Sequence, residues 1–397
     1  MNKIIASVCF LVVFINLSNA QKNYFKTGHS IPKNYYTEIN YEDINSKIII
    51  PVTIEGETYR FLFDTGAPNL ISKNIWEKIG SKTMKQITVS DANQKKQRME
   101  LASIPHLTIG NVSFKNTIAL VFNNKNNFVF DCFGIDGIIG SNLLRKSIVQ
   151  IQSKQKLLIL TNDSKKLHLN KKYASKLMLV GNQSSPYINI VLKGEDSGTE
   201  NLLFDTGASG FYDLNKKNFI LLSKKNIVKI ISKGNGSSSL GMFGIANESE
   251  QYRVKIPELK INNQVFKNVI TTTGNDNNSR IGSDILNYGI VTLNFIKKMF
   301  YFEAFKSVKN LNKKLFGFSP TISNNKLIVG FVWDDLLKDK IQYGDEIIEI
   351  NNINIENTDI CDLINKKSVF KENNTLELVF KNSKGEKNKL LVKKQFR

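Results

Sequence analysis

The sequence has 397 residues, and its 55 Lys+Arg against 35 Asp+Glu give a formal net charge of +20. Its 41% hydrophobic content and 25 Phe residues exclude a disordered chain, and the length fits two or three domains. Only six basic residues are arginine, the side chain best suited to reading phosphates and base edges, and no nucleic-acid-binding motif occurs. We therefore expect a basic, solvated surface and no nucleic-acid partner.

The first 20 residues have the pattern of a signal peptide. A positive start at Lys3 precedes the apolar stretch Ile4–Leu17, and Ser18-Asn19-Ala20 matches a small-x-small cleavage site. This stretch is too short to span a bilayer comfortably. We therefore predict an exported protein, periplasmic or secreted, with no stable membrane insertion after signal removal. Beyond the signal, Cys132 and Cys361 are expected to be ordinary buried thiols, because a single disulfide between separate domains is not expected.

An internal repeat organises the remaining chain. Phe61–Ala67 and Leu202–Ala208 share the sequence Leu-Phe-Asp-Thr-Gly-Ala, and their aspartates lie 141 residues apart. Gly137–Leu144 and Ser279–Leu286 form a second matched pair, built around Ile-Gly-Ser. The spacing from aspartate to this glycine is 76 residues in the first copy and 77 in the second. Two landmarks at nearly equal spacing indicate two copies of one structural unit.

Each copy is dominated by strand patterns. Short β-branched or apolar runs are separated by Gly-containing turns, which is typical of an all-β domain. One helix per copy is predicted, at Lys73–Ile79 and near Ile285–Tyr288. The predicted strands and hairpins are Ile48–Ile54, Tyr59–Phe63, Leu107–Phe114 and Ser147–Leu160 in the first copy, and Tyr187–Leu192, Leu202–Phe204, Leu259–Phe266 and Gly289–Phe302 in the second.

The two Asp-Thr-Gly turns place a carboxylate at the end of an apolar strand. Burial raises the pKa of a carboxyl group, and a second carboxylate nearby raises one of the pair further. If the lobes meet at these turns, Asp64 and Asp205 would share one proton and titrate as a unit. The ionised member could then take a proton from water while the protonated member donates to a carbonyl oxygen, which is the chemistry of amide hydrolysis.

Two Asp-Thr-Gly turns, each followed by Ile-Gly at matching distance, resemble the retropepsin-like aspartic protease family. The likeness is to the exported bacterial group that carries both lobes and a trailing PDZ domain in one chain. It implies that Asp64 and Asp205 are the catalytic pair, acting on polypeptides without a metal or other cofactor. It also implies that the threonines brace the two loops and that the Ile-Gly segments pack beneath them. The implied supporting residues are Thr65, Gly66, Thr206, Gly207, Ile139, Gly140, Ile281 and Gly282.

The resemblance further implies flaps that close over the substrate, at about Thr88–Glu100 in the first lobe and Lys233–Gly244 in the second. Two departures from the family pattern stand near the aspartates. Pro68 removes a backbone donor, and Arg280 occupies the position of the apolar Ile138, where it could bias the protonation of Asp205 if it points inward.

Neither catalytic loop carries a hydroxyl after its glycine. Ala67 and Ala208 stand where pepsin-like relatives have a Ser or Thr that donates to the carboxylates and favours their ionisation. Without that donor, the resemblance implies a mildly acidic to near-neutral pH optimum.

After Phe305 the pattern changes. Leu315-Phe316-Gly317-Phe318 resembles the carboxylate-binding loop of a PDZ domain, and Gly344–Asn351 resembles the Gly-Asp-x-Ile stretch. Such domains add a peptide to a sheet edge and hold its C-terminal carboxylate on loop amides, here those of Phe316, Gly317 and Phe318. Strands at Lys326–Val332 and Thr375–Lys381 and helices at Asp334–Lys340 and Thr358–Lys367 are also predicted. The alternative is a PDZ fold that only packs on the protease and binds no peptide.

We therefore predict a mainly β, two-lobed retropepsin-like β-barrel domain followed by a PDZ-like domain, in a monomer. The predicted divisions are a signal peptide at 1–20, lobes at 21–165 and 166–305, and the PDZ-like domain at 306–397. Isolated histidines and the absence of a nucleophile elbow or a P-loop disfavour other chemistries. The predicted function is that of an aspartic endopeptidase with a PDZ module for peptide or C-terminus recognition. The competing hypothesis is a catalytically inactive binding or scaffolding protein.

Overall fold

The structure is a computed structural model that describes residues 24–123, 127–238, 240–306, 308–366 and 368–396. The predicted signal peptide lies outside the described residues. The fold is mainly β, as the sequence predicts. No helix among the described residues is both long and apolar enough to cross a membrane.

The first lobe contains the first repeat copy. Its helix α1 confirms the prediction at Lys73–Ile79, and it begins because the side chain of Ser72 accepts a hydrogen bond from the Ile75 amide. The strands are β1 His29–Ile31, β2 Tyr36–Asn40, β3 Glu42–Ile44, β4 Lys47–Ile54, β5 Glu57–Asp64, β6 Leu70–Ser72, β7 Thr83–Ser90, β8 Lys96–Ile109, β9 Val112–Phe122, β10 Gly137–Gly140, β11 Ile148–Gln152 and β12 Leu157–Thr161. The helices are α1 Lys73–Lys78, α2 Phe128–Phe133 and α3 Ser141–Leu144.

The second lobe repeats much of this arrangement. Helix α4, Lys216–Lys224, follows the short strand Tyr212–Asn215 as α1 follows β6, but it was not predicted from the sequence. The predicted second helix is a 3-10 helix at Ser283–Asn287. The strands are β13 Ala174–Val180, β14 Ser185–Lys193, β15 Ser197–Asp205, β16 Tyr212–Asn215, β17 Lys229–Gly236, β18 Leu240–Gly241, β19 Gly244–Ile245, β20 Ser249–Ile261, β21 Gln264–Gly274, β22 Arg280–Gly282, β23 Gly289–Asn294 and β24 Met299–Ala304. Shorter 3-10 helices lie at Tyr24–Lys26, Ser153–Gln155, Ser164–Lys166 and Lys171–Tyr173.

A sheet of six strands joins the two lobes, in the order β13-β24-β23-β11-β12-β2. Its centre is the antiparallel pairing of β11 with β23, in which Val149 lies opposite Leu293. The sequence predicts each hairpin separately, and the structure pairs the two hairpins edge to edge. Buried side chains from both lobes contribute to one apolar cluster, so the lobes share a core.

The C-terminal module, residues 314–396, packs around a separate apolar core. Strand β25, Val308–Asn310, precedes it and pairs with β21 of the second lobe. The module has the sheet order β27-β28-β29-β31-β32. Its elements are β26 Lys314–Leu315, β27 Phe318–Ser323, β28 Lys326–Val332, α5 Asp335–Lys338, β29 Glu346–Ile350, β30 Ile353–Asn354, α6 Ile360–Lys366, α7 Val369–Glu372, β31 Thr375–Lys381, β32 Lys387–Lys393 and β33 Gln395–Phe396.

The C-terminal module is attached to the second lobe through a buried arginine. Arg253 of β20 is 6% exposed, and its Nη1 donates to the Phe316 carbonyl at 3.1 Å. Its guanidinium also stacks on the Trp333 ring at 4.7 Å. The amide of Ser237, just after β17, donates to the Gly330 carbonyl of β28 at 3.0 Å. The module therefore contacts the strand pair β17 and β20, which is the flap stem of the second lobe.

A disulfide links the C-terminal module to the first lobe. Cys132 in α2 and Cys361 in α6 are joined, with their Cα atoms 4.7 Å apart. The prediction of two free thiols is therefore wrong. The two cysteines are 229 residues apart in sequence, but α2 and α6 pack side by side and bring them within bonding distance. Sequence separation carries no information about this packing.

Candidate active site

Asp64 and Asp205 stand at the ends of matching strands. Asp64 ends β5, which pairs in parallel with β10 so that Asp64 lies opposite Gly140. Asp205 ends β15, which pairs in parallel with β22 and lies opposite Gly282. Asp205 is only 6% exposed, and Asp64 is half-buried. Each aspartate is thus held at a sheet position rather than on a free loop.

Gly140 and Gly282 allow each catalytic loop to lie directly against its neighbouring strand. A Cβ on Gly140 would stand 2.3 Å from the Ala67 carbonyl oxygen, and one on Gly282 would stand 2.7 Å from the Ala208 carbonyl oxygen. The amides of Ser141 and Ser283 donate to these same carbonyls at 3.0 and 2.8 Å. The structure therefore places both Ile-Gly segments, including Ile139 and Ile281, beside the loops, where a side chain on the glycine would push the loop away.

The two loops are tied together by their threonines. Thr65 Oγ1 donates to the Phe204 carbonyl at 2.6 Å, and Thr206 Oγ1 donates to the Phe63 carbonyl at 2.8 Å. Each hydroxyl also accepts from the other threonine's amide, at 3.0 and 3.1 Å. Both threonines are fully buried. This reciprocal set holds the lobes in one register at the point where the aspartates meet.

Replacement of Thr206 by Val is expected to lower the free energy of unfolding by about 2–4 kcal/mol. The change keeps the side-chain shape but leaves the Thr65 amide and the Phe63 carbonyl buried without their partner. Urea denaturation of the variant against the wild type measures the effect. Thr206→Ser is the matched control, because it keeps the hydroxyl and should cost less than half as much. Equal losses in both variants would contradict this role for the hydroxyl.

The aspartates face each other across the join. A Cβ on Gly66 would come within 2.6 Å of the Asp205 carboxyl carbon, and one on Gly207 within 2.3 Å of that of Asp64. Each carboxyl group therefore reaches across to the glycine of the opposite loop, which brings the two groups into close proximity. Burial raises the pKa of Asp64 to about 7, and the negative charge of Asp205 acts in the same direction. One proton is therefore held on the pair below about pH 7.

Loop amides hold one oxygen of each carboxyl group. Asp64 Oδ1 accepts from the amides of Gly66 and Ala67 at 2.8 and 3.1 Å. Asp205 Oδ1 accepts from Gly207 and Ala208 at 2.9 and 3.2 Å. The two arrangements are nearly identical, which is the structural consequence of the sequence repeat. In both carboxyl groups the loop amides thus bind Oδ1 rather than Oδ2.

Two cations adjoin the aspartates. Arg280 Nη1 donates to Asp205 Oδ2 at 2.9 Å. The Arg280 side chain therefore points inward, the orientation in which the sequence expects it to bias the protonation of Asp205. Lys47, at the start of β4, donates to the Gly207 carbonyl. Burial lowers the pKa of Lys47, while the charges of Asp205 and Asp64 oppose that shift. The sequence reasoning missed Lys47, which lies 17 residues before Asp64.

The matching contact in the second lobe is made by Gln183, which lies 22 residues before Asp205, so a comparison at equal spacing would not find it. Its Nε2 donates to the Gly66 carbonyl at 3.1 Å, so each lobe sends one side chain to the glycine of the opposite loop. Lys47 follows the β3–β4 turn and Gln183 lies in the β13–β14 turn. A second pair missed from the sequence is Asn69 and Asn142. Asn69 Oδ1 accepts from the Gly140 amide at 2.8 Å, and Asn142 Oδ1 accepts from the Asn69 amide at 2.7 Å.

The predicted flaps are hairpins that meet over the join. In the first lobe, β7 and β8 enclose a tip at residues 91–95, and in the second lobe β17 and β20 enclose a tip at residues 237–248. The Phe243 amide donates to Asp91 Oδ2 at 2.9 Å, and Asn93 Nδ2 donates to the Gly244 carbonyl at 2.9 Å. Hydrogen bonds thus join the two tips, and a polypeptide that passes between the flaps would have to separate them.

The predicted peptide-carboxylate residues Phe316, Gly317 and Phe318 lie away from the aspartates. All three are buried. The Gly317 carbonyl accepts from the amides of Trp333 and Asp334 at 2.7 and 2.9 Å. The rings of Phe316 and Phe318 pack against Phe370 of α7. The phenylalanine side chains of this loop therefore belong to the core of the C-terminal module.

A protein-family model described as aspartyl protease matches residues 50–143, which include Asp64 and Gly140. Among solved structures, the aspartic proteinase from Irpex lacteus is similar over 69% of this chain and 98% of its own. The identity is 12% and the TM-score is 0.44. No curated protein matches the chain in sequence.

Proposed function

We propose that this protein is an aspartic endopeptidase that hydrolyses peptide bonds with a water molecule activated between Asp64 and Asp205. One observation carries the proposal. Two carboxyl groups from matching loops face each other across the join between the lobes, within a frame of four threonine hydrogen bonds. The aspartyl protease match over residues 50–143 supports the same class of hydrolase.

The reaction needs one ionised and one protonated carboxyl group. The carboxylate takes a proton from water as the water oxygen bonds to the carbonyl carbon, and the carboxylic acid protonates the carbonyl oxygen. The resulting diol then collapses. Its C–N bond breaks, the leaving nitrogen takes the proton that came from water, and a diol hydroxyl returns the other proton to the dyad. The two groups end in their starting protonation states, so no cofactor is consumed.

The test is cleavage of a diverse peptide mixture by the purified full chain between about pH 3 and 8, a range that spans carboxylate-pair titration. We expect activity to decline as the pH rises through about 7, because Asp64, with its raised pKa, loses the proton that the carbonyl oxygen must receive. Activity should also decline in acid, once the pair carries two protons and has no base. Peptide binding without cleavage at any pH would favour the inactive binding protein instead.

We also propose that the C-terminal module is a PDZ-like domain for peptide or C-terminus recognition. The loop motif at Leu315–Phe318 and the edge position of β27 support this, since such domains bind a peptide along the edge strand that follows the loop. Binding of a random peptide library should require a free C-terminal carboxylate. Equal binding of the amidated library, or none, would favour a module that only packs on the lobes.

Export to the periplasm or the exterior remains part of the proposal. The signal-peptide pattern of residues 1–20 supports it, and so does the disulfide, because disulfides persist in oxidising compartments and are rare in the cytosol. Cell fractionation that finds the intact precursor only in the cytosol would contradict it.

A further inference from the structure

The cleft is asymmetric around two otherwise matched aspartates. In the first lobe Ile138, two residues before Gly140, lies opposite Leu62 in the strand register. In the second lobe Arg280 has the same relation to Gly282 and lies opposite Leu203. Ile138 is 7% exposed and belongs to an apolar cluster that includes the flap residues Met99 and Leu101. The second copy therefore replaces an apolar neighbour with a cation at one aspartate only.

Arg280 is held in place by two carboxylates. Its Nη1 donates to Asp205 Oδ2 at 2.9 Å, and its Nη2 forms an ion pair with Asp276. Its side chain is 13% exposed. Because two guanidinium nitrogens are engaged by separate partners, the planar group has little freedom to turn away. Both oxygens of Asp205 are thus hydrogen-bonded, Oδ1 by loop amides and Oδ2 by Arg280, whereas the loop amides reach only Oδ1 of Asp64.

The other charged and titratable groups around Asp205 do not produce this asymmetry. Lys47 acts on both aspartates, so it does not distinguish them. The nearby carboxylates repel a negative charge at Asp205, so they do not favour ionisation there. Among the charged side chains that the structure describes around the pair, Arg280 is the one that donates a hydrogen bond to an aspartate of the pair. The groups that face the site are Lys47 from β4, Asp64 from β5, Tyr187 from β14, Asp213 from β16, Asp276 before β22 and Asp284 after it.

We infer that Arg280 is a positioning residue that places the single negative charge of the pair on Asp205 and leaves the proton on Asp64. The roles follow from the proposed function, on which this inference rests. Asp205 takes the proton from water, Asp64 protonates the carbonyl oxygen, Asp205 then passes its proton to the leaving nitrogen, and Asp64 recovers a proton from the diol. The raised pKa of Asp64, caused by burial and by the charge of Asp205, agrees with this order.

The first measurement needs no turnover. Carboxyl-carbon NMR of protein labelled at aspartate, assigned with Asp64→Asn and Asp205→Asn, reads the protonation of each group between about pH 4 and 8, on either side of a buried carboxyl titration. In the wild type, Asp64 should remain protonated until near pH 7, and the single negative charge of the pair should be found on Asp205. A wild type with the charge on Asp64, or shared equally, would overturn the inference without any variant.

The second measurement uses the residue that the first lobe has at this position. Arg280→Ile should bring the two aspartate signals together and move the acid limb of the kcat/KM profile up by about one pH unit or more. Arg280→Lys should keep the wild-type assignment, because it keeps a cation. Lys193→Ile, which removes an exposed charge from β14, is the matched control and should move neither readout.

The two readouts separate failure of this inference from failure of the proposed function. A wild type that cleaves peptides and shows an unchanged acid limb and unchanged aspartate signals in Arg280→Ile would defeat the inference and leave the proposed function standing. A wild type that cleaves nothing would defeat the proposed function, while the NMR signals would still decide where the charge lies.

Discussion

Replacement of Asp205 by asparagine is expected to lower kcat by about 10³-fold or more. Asparagine keeps the shape of the side chain and can still accept hydrogen bonds from the loop amides of Gly207 and Ala208. It cannot carry the negative charge or take a proton from water. The remaining Asp64 would have no partner with which to share a proton. Steady-state cleavage of a peptide that the wild type cleaves measures the loss.

The control for this change lies next to the same strand. Asp196 is exposed in the turn before β15, at the end opposite to Asp205, and its carboxylate caps the Ser197 amide. Asp196→Asn removes one carboxylate from the same sheet and should leave kcat unchanged. Asp64→Asn should cause a loss as large as that of Asp205→Asn, because each group supplies half of the chemistry. Retention of more than a tenth of the activity in either dyad variant would exclude the shared mechanism.

A loss of activity must be separated from a loss of stability in this comparison. Asp205→Asn removes one of the two carboxylates that pair with Arg280, so that only Asp276 remains as its ion-pair partner. Unpairing a buried charge is destabilising. Thermal unfolding should therefore accompany each activity measurement. Double replacement of Asp205 by Asn and Arg280 by Ile removes both charges and restores the apolar residue of the first lobe. If its stability returns to that of the wild type while its activity stays lost, the loss belongs to the missing carboxylate.

Removal of the Cys132–Cys361 disulfide is expected to lower the free energy of unfolding by about 2–4 kcal/mol. The bond closes a loop across a sequence separation of 229 residues, so the reduced unfolded chain gains much conformational freedom. The loss should concentrate in the attachment of the C-terminal module, because α2 and α6 are joined by this bond. Urea denaturation of Cys361→Ser, followed by the fluorescence of Trp333 at the module boundary, measures it.

Reduction of the wild type provides the matched control. Wild-type protein in excess dithiothreitol should unfold at the same urea concentration as Cys361→Ser without it, and dithiothreitol should not change the variant. Thiol labelling of the denatured wild type should rise by two groups on reduction. Full labelling of Cys132 and Cys361 before reduction would show that the bond does not form, and would restore the expectation of free thiols.

The attachment of the C-terminal module has a consequence for the flaps. Arg253 and the Ser237 amide connect the module to the flap stem of the second lobe, and the disulfide connects it to α2 of the first. Asn127, the residue before α2, donates to the Met242 carbonyl in the second flap tip at 3.1 Å. The module therefore contacts structures on both sides of the cleft entrance.

Local patterns account for the elements that the sequence predicts. The strand before each Asp-Thr-Gly turn, helix α1 and the strands at Lys326–Val332 and Thr375–Lys381 depend on side-chain periodicity and on nearby turn or cap residues. The internal repeat also predicted a feature of the whole chain, because two copies of one sequence unit imply two lobes of similar fold. Helix α4 was missed, since its nine residues carry little more than one apolar turn in a Lys- and Asn-rich stretch.

Contacts between distant segments account for what was missed. The disulfide depends on the packing of α2 against α6, and the pairing of β11 with β23 depends on how two hairpins meet. The reach of Lys47 to the opposite loop likewise requires both lobes in position. None of these contacts leaves a periodic or local pattern in the sequence, because each residue's partner lies more than 100 positions away.

The sequence by itself determined that Asp64 and Asp205 end matching strands with the same Asp-Thr-Gly-Ala turn, and that Arg280 stands where the first copy has Ile138. Only the tertiary structure decided that Arg280 points inward and makes the two aspartates unequal. The guanidinium of Arg280 bonds Asp205, while the matching position in the first lobe holds the apolar Ile138. The physical reason is that a motif defines the covalent neighbours of a carboxyl group, whereas its protonation depends on the charges and burial that the folded chain brings around it.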